Sequence, residues 1–188
     1  MNPLSLYHPL KPHTVTRVWG IADPIYRMFG FERHNGIDLA LTVGDEIRAP
    51  FACRVGKVSD EPNGSGIFVS LLSQEEYIFP DGKTSSVELT FMHLMLPLVT
   101  AGEELRTGEL VALGGSTGFS TGSHTHLAPK RVTFADSGYT DVDTNDADNT
   151  FDPTPHWNGL YAEDLDADDE RTLHRLERIL RQLKEGVK

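Results

Sequence analysis

Apolar and polar residues alternate along much of the chain between about residues 16 and 132. The alternation is clear in residues 37–44 and again in residues 87–92, where every second side chain is Ile, Leu, Val or Phe. A period of two is typical of half-buried β-strands. Turn-forming pairs such as Asp81-Gly82 separate the apolar stretches. The pattern predicts an all-β fold, a compact antiparallel barrel or sandwich.

The two ends of the chain depart from this pattern. Residues 1–14 contain three prolines and no sustained periodicity, which predicts an extended N-terminal arm. Near the other end an α-helix is predicted from about residue 163 to 185, because acidic residues begin the segment and Lys184 lies near its end. We expect three parts: the arm at 1–14, the β domain at 15–160 and an amphipathic C-terminal α-helix at 161–188.

One face of the predicted helix carries a leucine stripe. It comprises Leu173, Leu176, Leu180 and Leu183, at a 3-4-3 spacing. Two interpretations remain open. The helix docks on its own domain, or it forms a short coiled coil for self-association or docking to a partner. Two heptads are fewer than coiled coils usually need.

Charge and composition exclude several function classes. Among 188 residues, 17 Lys and Arg face 28 Asp and Glu, and the net charge of −11 disfavours nucleic acid or an anionic membrane surface as the main partner. No run of about 18 apolar residues is present, so no membrane insertion is expected. The first residues lack the basic start and apolar core of a secretory signal. The single cysteine, Cys53, lies among apolar residues and is predicted to be a buried thiol.

The candidate chemistry lies in histidines within the β region. On an extended strand, His124 and His126 project from one face, about 6.6 Å apart. His34 and Asp38 share a face by the same parity, but a straight strand would separate them by about 13 Å, and Gly36 permits the bend that brings them together. Two imidazoles and a carboxylate suit a hydrolytic zinc ion with a fourth position left for water. The candidates are His34, Asp38 and either His124 or His126.

Each histidine also has an ordinary structural explanation. His93 continues the apolar face of residues 87–91, where a single histidine is usually a hydrogen-bonded core residue, and His34 fits a loop before a strand. The imidazoles left over after metal binding are the obvious acid–base groups, because an unperturbed pKa of about 6.5 suits proton transfer near neutral pH. Ordinary structural positions are expected for the other four: His8, His13, His156 and His174.

Three motifs in order carry a resemblance to a known family. His34-Asn-Gly-Ile-Asp38, Phe91-Met-His-Leu94 and the glycine-rich stretch ending in His124-Thr-His126 resemble the signature motifs of the lysostaphin-type, or LytM-like, zinc endopeptidases. The glycine-spaced segment 99–112 is similar to the one that precedes the last motif in that family. The resemblance covers roughly residues 15 to 155.

The resemblance implies one Zn²⁺ per chain, bound by His34, Asp38 and His126, with His93 and His124 beside the attacking water as acid–base groups and oxyanion stabilisers. It also implies hydrolysis of peptide bonds in bacterial peptidoglycan, in the cross-bridge or the stem peptide. Such an enzyme acts outside the cytoplasm on the cell wall, as a phage-released, virion-associated or otherwise exported protein.

A second function class stays open beside the enzyme. A domain of the same fold can bind cell wall or a partner protein without catalysis, or serve as a virion component, but such relatives typically lose ligands and all five residues are present here. The departures from the family pattern, Phe91-Met92 for Tyr-Ala and Thr125 for Leu, touch no ligand. We expect the insertion 21–30 and the acidic loop after Phe134 to form walls of the substrate groove. The N-terminal arm is a candidate for covering this groove in a latent form.

The acidic loop also resembles part of a calcium site. Asp141, Asp143 and Asn145 copy the first three ligand positions of a calcium loop, and Asp152 follows eleven residues after the first. Asp146 replaces the usual turn glycine, however. A solvated loop is therefore the favoured interpretation.

Overall fold

The structure is a computed structural model that describes residues 1–12, 14–135, 138–141, 149–165 and 169–185. In this part of the chain the β-strands are β1 (Leu6–His8), β2 (Val15–Arg17), β3 (Ile37–Ala40), β4 (Glu46–Arg48), β5 (Cys53–Glu61), β6 (Gly66–Ser73), β7 (Tyr77–Ile78), β8 (Thr84–Pro97), β9 (Glu104–Leu105), β10 (Leu110–Gly114), β11 (His124–Ala135), β12 (Gly138–Asp141) and β13 (Trp157–Tyr161). Helical elements are the 3-10 helices Pro24–Phe29, Thr154–His156 and Ala162–Asp164 and the α-helix α1 (Asp169–Glu185).

Eleven of the described strands form one large antiparallel sheet, and β1 and β13 form a separate two-stranded sheet. The main path of the large sheet runs β2-β3-β11-β8-β6-β5-β9, while β10 pairs with β4 and β8, β12 with β11, and β7 with β8. β11 lies between β3 and β8, with His126 opposite Asp38 and Leu127 opposite Phe91. These three neighbouring strands therefore carry four of the five candidate site residues. The predicted all-β class with a C-terminal helix is confirmed.

The alternating residues form the core. Ile37, Leu39, Val87, Leu89, Phe91 and Leu127 are all fully buried. Burying one such side chain contributes about 1.5–3 kcal/mol. Cys53 lies in the same core as a free thiol, and burial raises its pKa to about 12. The prediction of a buried thiol is confirmed.

The N-terminal arm packs into the domain. Leu4, Leu6 and Leu10 are buried in the main core. β1 pairs in parallel with β13, and the Tyr7 amide donates a hydrogen bond to the Pro50 carbonyl at 3.1 Å. The prolines prevent regular helix, as the sequence predicts, but apolar side chains between them hold the arm against the sheet.

The C-terminal helix docks on its own domain with a face that includes Leu176 of the predicted stripe but not Leu173 or Leu180. Leu176 and Ile179 pack against Leu98 and Leu110, and the buried Arg175 guanidinium donates a hydrogen bond to the Leu110 carbonyl. By contrast, two members of the stripe, Leu173 and Leu180, are exposed, and the side chain of Leu183 lies outside the described residues. The helix starts at Asp169 instead of about residue 163, after a 3-10 turn at Ala162–Asp164. None of the described helices is long and apolar enough to cross a membrane.

The docked face gives a stability prediction with a matched control. We expect Ile179→Ala to lower the free energy of unfolding by about 2 kcal/mol, because Ile179 is only 8% exposed and closes a small apolar cluster. Leu180→Ala, at a position that is 56% exposed on the same helix, should change it by less than about 0.5 kcal/mol. Urea denaturation measures both values.

Equal effects of the two substitutions would contradict this docking. Self-association through the exposed leucines stays a prediction. Light scattering of the intact chain against one that ends after Glu163 tests it.

Candidate active site

A groove of about 690 Å³ is lined by all five predicted site residues. The 3-10 helix Pro24–Phe29 contributes to the wall beside His34, and the loop 117–123 contributes to the wall beside His93 and His124. The expectation that the insertion 21–30 walls the groove is thus confirmed. None of the described arm residues lines the groove in this structure, and masking of the groove by the arm stays a hypothesis.

His34 and Asp38 meet because the chain leaves the strand between them. β3 begins only at Ile37, so residues 34–36 bend and the separation expected for a straight strand does not arise. Gly36 is needed for space: a Cβ there would collide with the Leu127 carbonyl and lie 2.8 Å from the His126 imidazole. The glycine lets β11 approach and bring His126 to the same point.

Three ligand-type atoms converge in a nearly equilateral triangle. His34 Nε2 lies 3.1 Å from Asp38 Oδ1 and 2.9 Å from His126 Nδ1, and His126 Nδ1 lies 3.0 Å from Asp38 Oδ1. Ligand atoms of a tetrahedral zinc ion with bonds of about 2.0–2.1 Å stand about 3.3 Å apart. The triangle is within a few tenths of an ångström of that size, so the donor set fits zinc.

Hydrogen bonding at the far side of His34 explains why the triangle needs a cation. Its Nδ1–H donates to the Val18 carbonyl at 2.9 Å, which leaves Nε2 with a lone pair in the neutral ring. That lone pair faces the Asp38 carboxylate oxygen and His126 Nδ1. Burial alone would raise the pKa of Asp38, but the imidazoles of His126 and His34 outweigh it and hold the pKa well below its usual range. A positive ion at this point would stabilise the ionised carboxylate and the ring nitrogens around it.

His93 reaches the groove through a bulge in β8. Ile67 and Val69 of β6, two residues apart, pair with Leu94 and Phe91, three residues apart, so one extra residue lies in β8. His93 itself has φ of 62°, a left-handed conformation that is uncommon outside glycine and is often found at functional sites. Strict alternation would place the His93 side chain in the core, but the bulge directs it into the groove.

His124 lies beside His93 on the same side of the groove. Their ring centroids are 4.8 Å apart. His93 Nδ1–H donates to the Thr117 carbonyl at 2.9 Å, and His124 Nδ1–H donates to the Gly122 carbonyl at 2.8 Å. These hydrogen bonds orient both rings and place each Nε2 on the side of the groove. Burial lowers the pKa of His93 to about 4, so this ring is neutral at neutral pH.

Two further groove residues were not singled out from the sequence. Tyr26 stacks on His34 with ring centroids 5.2 Å apart, and Arg17 donates a hydrogen bond to the Tyr26 hydroxyl. Tyr26 lies in the insertion that the sequence marks as a wall, but its stacking depends on the fold. The two residues support the ring of His34 on the side away from the sheet.

The remaining predicted residues lie elsewhere. His8 contacts the aromatic rings of Trp157 and Tyr161, and His156 contacts Phe79 and Phe151. His174 is exposed on α1. His13 lies outside the described residues, and so do Asp143 and Asn145 of the proposed calcium loop, so calcium binding there stays an untested hypothesis.

Solved structures of peptidases share this fold. A zinc-containing peptidase from Vibrio cholerae superposes with a TM-score of 0.56 and 22% identity over 74% of this chain and 39% of that chain. The catalytic domain of lysostaphin from Staphylococcus simulans superposes with a TM-score of 0.55 and 21% identity over 76% of this chain and 90% of that chain. The prophage-encoded EnpA catalytic domain from Enterococcus faecalis superposes with a TM-score of 0.55 and 22% identity over 76% of this chain and 94% of that chain. At these identities the likeness concerns the fold.

Sequence comparison adds a curated relative and a family. A Haemophilus influenzae protein described as an uncharacterized metalloprotease is 37% identical over 122 residues, which are 65% of this chain and 21% of that protein. The chain thus spans about a fifth of the length of that relative. The model of peptidase family M23 matches residues 32–135, more than half of the chain and all five candidate site residues. This protein therefore belongs to peptidase family M23, as the three motifs predict, and so to a family of metallopeptidases.

Proposed function

We propose that this protein is a zinc endopeptidase that hydrolyses peptide bonds in bacterial peptidoglycan, in the cross-bridge or the stem peptide, and acts outside the cytoplasm. One zinc ion per chain would be held by His34, Asp38 and His126. Membership of the family and the fold shared with lysostaphin support the substrate class. The insertion 21–30 would contribute to the choice of the bond that is cut, because it forms part of the groove wall.

One observation carries the proposal. His34 Nε2, Asp38 Oδ1 and His126 Nδ1 lie within 3.1 Å of one another, while the Nδ1–H of His34 is occupied by the Val18 carbonyl. If His34 served only to pair with the carboxylate, its ring N–H would point at Asp38 instead of at Val18. Three ligand-type atoms that meet at one point of an open groove, with the His34 lone pair directed at that point, are the donor arrangement of a catalytic metal site.

The chemistry divides between the metal and two histidines. A bound zinc ion lowers the pKa of a water molecule and polarises the scissile carbonyl. The Nε2 atom of either His93 or His124 would accept the proton of the attacking water, donate a hydrogen bond to the developing oxyanion while protonated, and then pass the proton to the leaving amine. The other Nε2 atom would accept a hydrogen bond from the same water and orient it. Their hydrogen bonds to Thr117 and Gly122 fix the rings so that little reorganisation accompanies proton transfer.

The proposal is tested with two kinds of peptidoglycan. The purified protein is incubated with peptidoglycan that has glycine cross-bridges and with peptidoglycan that is directly cross-linked, and mass spectrometry identifies the released fragments. We expect new peptide termini from at least one wall, and their sequence names the cleaved bond. The termini should be absent with His124→Ala.

A domain that only binds would give a different result. Zinc-free protein that releases no fragment from either wall, but sediments with one of them, would replace the proposal by the wall-binding function. If the protein instead binds a partner protein or is a component of a virion, it should cleave neither peptidoglycan and should stay in the supernatant when either one is sedimented.

A further inference from the structure

Two aromatic side chains join separate walls of the groove. Phe29 ends the 3-10 helix Pro24–Phe29, whose Tyr26 stacks on His34, and Phe119 lies in the loop that contacts His93 and His124. Their ring centroids are 5.1 Å apart in an edge-on arrangement, and both rings line the groove. The contact, here called the Phe29–Phe119 bridge, therefore links the wall beside His34 with the wall beside the proposed acid–base pair.

The Phe119 side of the bridge is firmly attached to the sheet. Its amide donates a hydrogen bond to the Gly64 carbonyl at 2.8 Å. The neighbouring Gly118 packs so tightly that a Cβ there would lie 2.5 Å from the same carbonyl. Thr117 donates its hydroxyl to the Leu94 carbonyl at 2.7 Å. Phe119 is thus presented by a loop with little freedom to move.

The Phe29 side is attached mainly at its base. The Gly20 amide donates to the His34 carbonyl at 2.8 Å, and the His34 amide donates to the Ile21 carbonyl at 2.9 Å, which closes a loop of residues 21–33. No residue of its 3-10 helix is buried. Gly20 and Gly30 near the two ends both have positive φ with open space around them. Tyr26 is held by stacking on His34 and by the hydrogen bond from Arg17, but beyond it few contacts resist an outward movement of Phe29.

A groove closed by such a bridge admits peptides with a free end more easily than peptides tied into a polymer at both ends. A peptide with a free end can enter beneath or up to the bridge, whereas a peptide whose two ends are both tied into a polymer can enter only when the bridge opens. We propose that the Phe29–Phe119 bridge makes the enzyme select peptides with a free end near the scissile bond over peptides held in a continuous wall. This inference rests on the proposed function, since it concerns the substrate of the same groove.

The first test needs no activity. Trypsin cleaves after Arg27, within the bridged loop, and mass spectrometry follows that cut. We expect Phe119→Ala, a substitution in a different element, to speed this cleavage by about twofold to tenfold, the range that one aromatic pair supports. Val43→Ala, at an exposed apolar residue outside the groove, should leave it unchanged. Equal rates in the two variants would overturn the bridge.

The second test compares intact peptidoglycan with soluble fragments that a glycan-cleaving enzyme releases from the same wall. Both contain the same peptide bonds, and differences in solubility and access are the same for every variant, so the comparison between variants isolates the effect of the bridge. Phe29→Ala and Phe119→Ala should each raise the rate on intact wall relative to fragments by about twofold to tenfold. Met28→Ala is the matched control, because Met28 belongs to the same 3-10 helix but is 74% exposed and does not line the groove.

The outcomes separate the selectivity from the proposed function. A ratio that is the same in all variants, or lower in both phenylalanine variants, would overturn the selectivity while leaving the peptidase in place. Zinc-loaded wild type that cleaves neither substrate would contradict the proposed function and the selectivity together, and the trypsin result would still decide whether the bridge exists.

Discussion

The Asp38→Ala variant is expected to purify without zinc and to cleave peptidoglycan at least about 10³-fold more slowly than the unchanged protein. Asp38 provides the anionic member of the triangle, with Oδ1 3.1 Å from His34 Nε2 and 3.0 Å from His126 Nδ1. Its removal leaves two neutral nitrogen donors, which bind zinc far more weakly. Losing the several kcal/mol that a metal contributes to the transition state corresponds to a factor of about 10³ or more. Zinc per chain and initial rates measure the two effects.

Two matched variants show that charge at this position is responsible. Asp38→Asn keeps the shape and removes the charge, so it should resemble Asp38→Ala. Glu61→Gln removes another carboxylate that lines the groove, outside the triangle, and should keep both zinc and activity. A chelator should inactivate the wild type, and added Zn²⁺ should restore the wild type but not the Asp38 variants. One equivalent of zinc in Asp38→Ala would exclude the proposed ligand set.

Local periodicity predicts much of the fold and part of the site. The alternation in residues 37–44 and 87–92 is enough to identify two strands that line the core. Parity also predicts that His124 and His126 share one face, because a strand repeats every two residues. Spacing alone left open whether His124 or His126 is the third metal ligand beside His34 and Asp38. The choice of His126 came from the resemblance of the three motifs to the family.

Features that depend on contacts between distant segments could not be predicted in the same way. Strict alternation assigns His93 to the core, but the bulge opposite Ile67–Val69 redirects it, and bulges have no clear sequence signal when no glycine is present. On α1 the leucine spacing predicts one stripe, yet the docked face centres on Ile179 because the cluster of Leu98 and Leu110 lies opposite that residue. In each case the partner surface decides which of two faces is buried.

Replacing either histidine of the proposed acid–base pair should separate metal binding from catalysis. We expect His124→Ala and His93→Asn each to retain one zinc per chain and to lose about 10²–10⁴-fold in kcat, the usual contribution of a general acid or base. Asparagine is the better substitution at position 93, because the backbone there has φ of 62° and asparagine tolerates the left-handed region. Zinc content and rates on soluble peptidoglycan fragments give the two readouts.

A control outside the groove accounts for general effects of losing an imidazole. His174→Ala replaces an exposed histidine on α1 and should leave kcat within about twofold of the unchanged protein. Loss of zinc from His124→Ala would make His124 a ligand, an outcome that its Nε2, 3.8 Å from Asp38 Oδ1, makes worth measuring. Full activity in both groove variants would remove them from the mechanism.

The double variant His93→Asn/His124→Ala distinguishes shared from independent action. The two rings lie 4.8 Å apart, close enough to serve one water molecule and one oxyanion. If they act as a unit, the double variant should lose no more than about tenfold beyond the slower single variant, because removing one member already disables the pair. If they act on separate steps with additive barriers, the two single losses should multiply, to about 10⁴-fold or more. The geometry favours the first result, since both Nε2 lone pairs belong to rings held by neighbouring carbonyls of one loop, at Thr117 and Gly122.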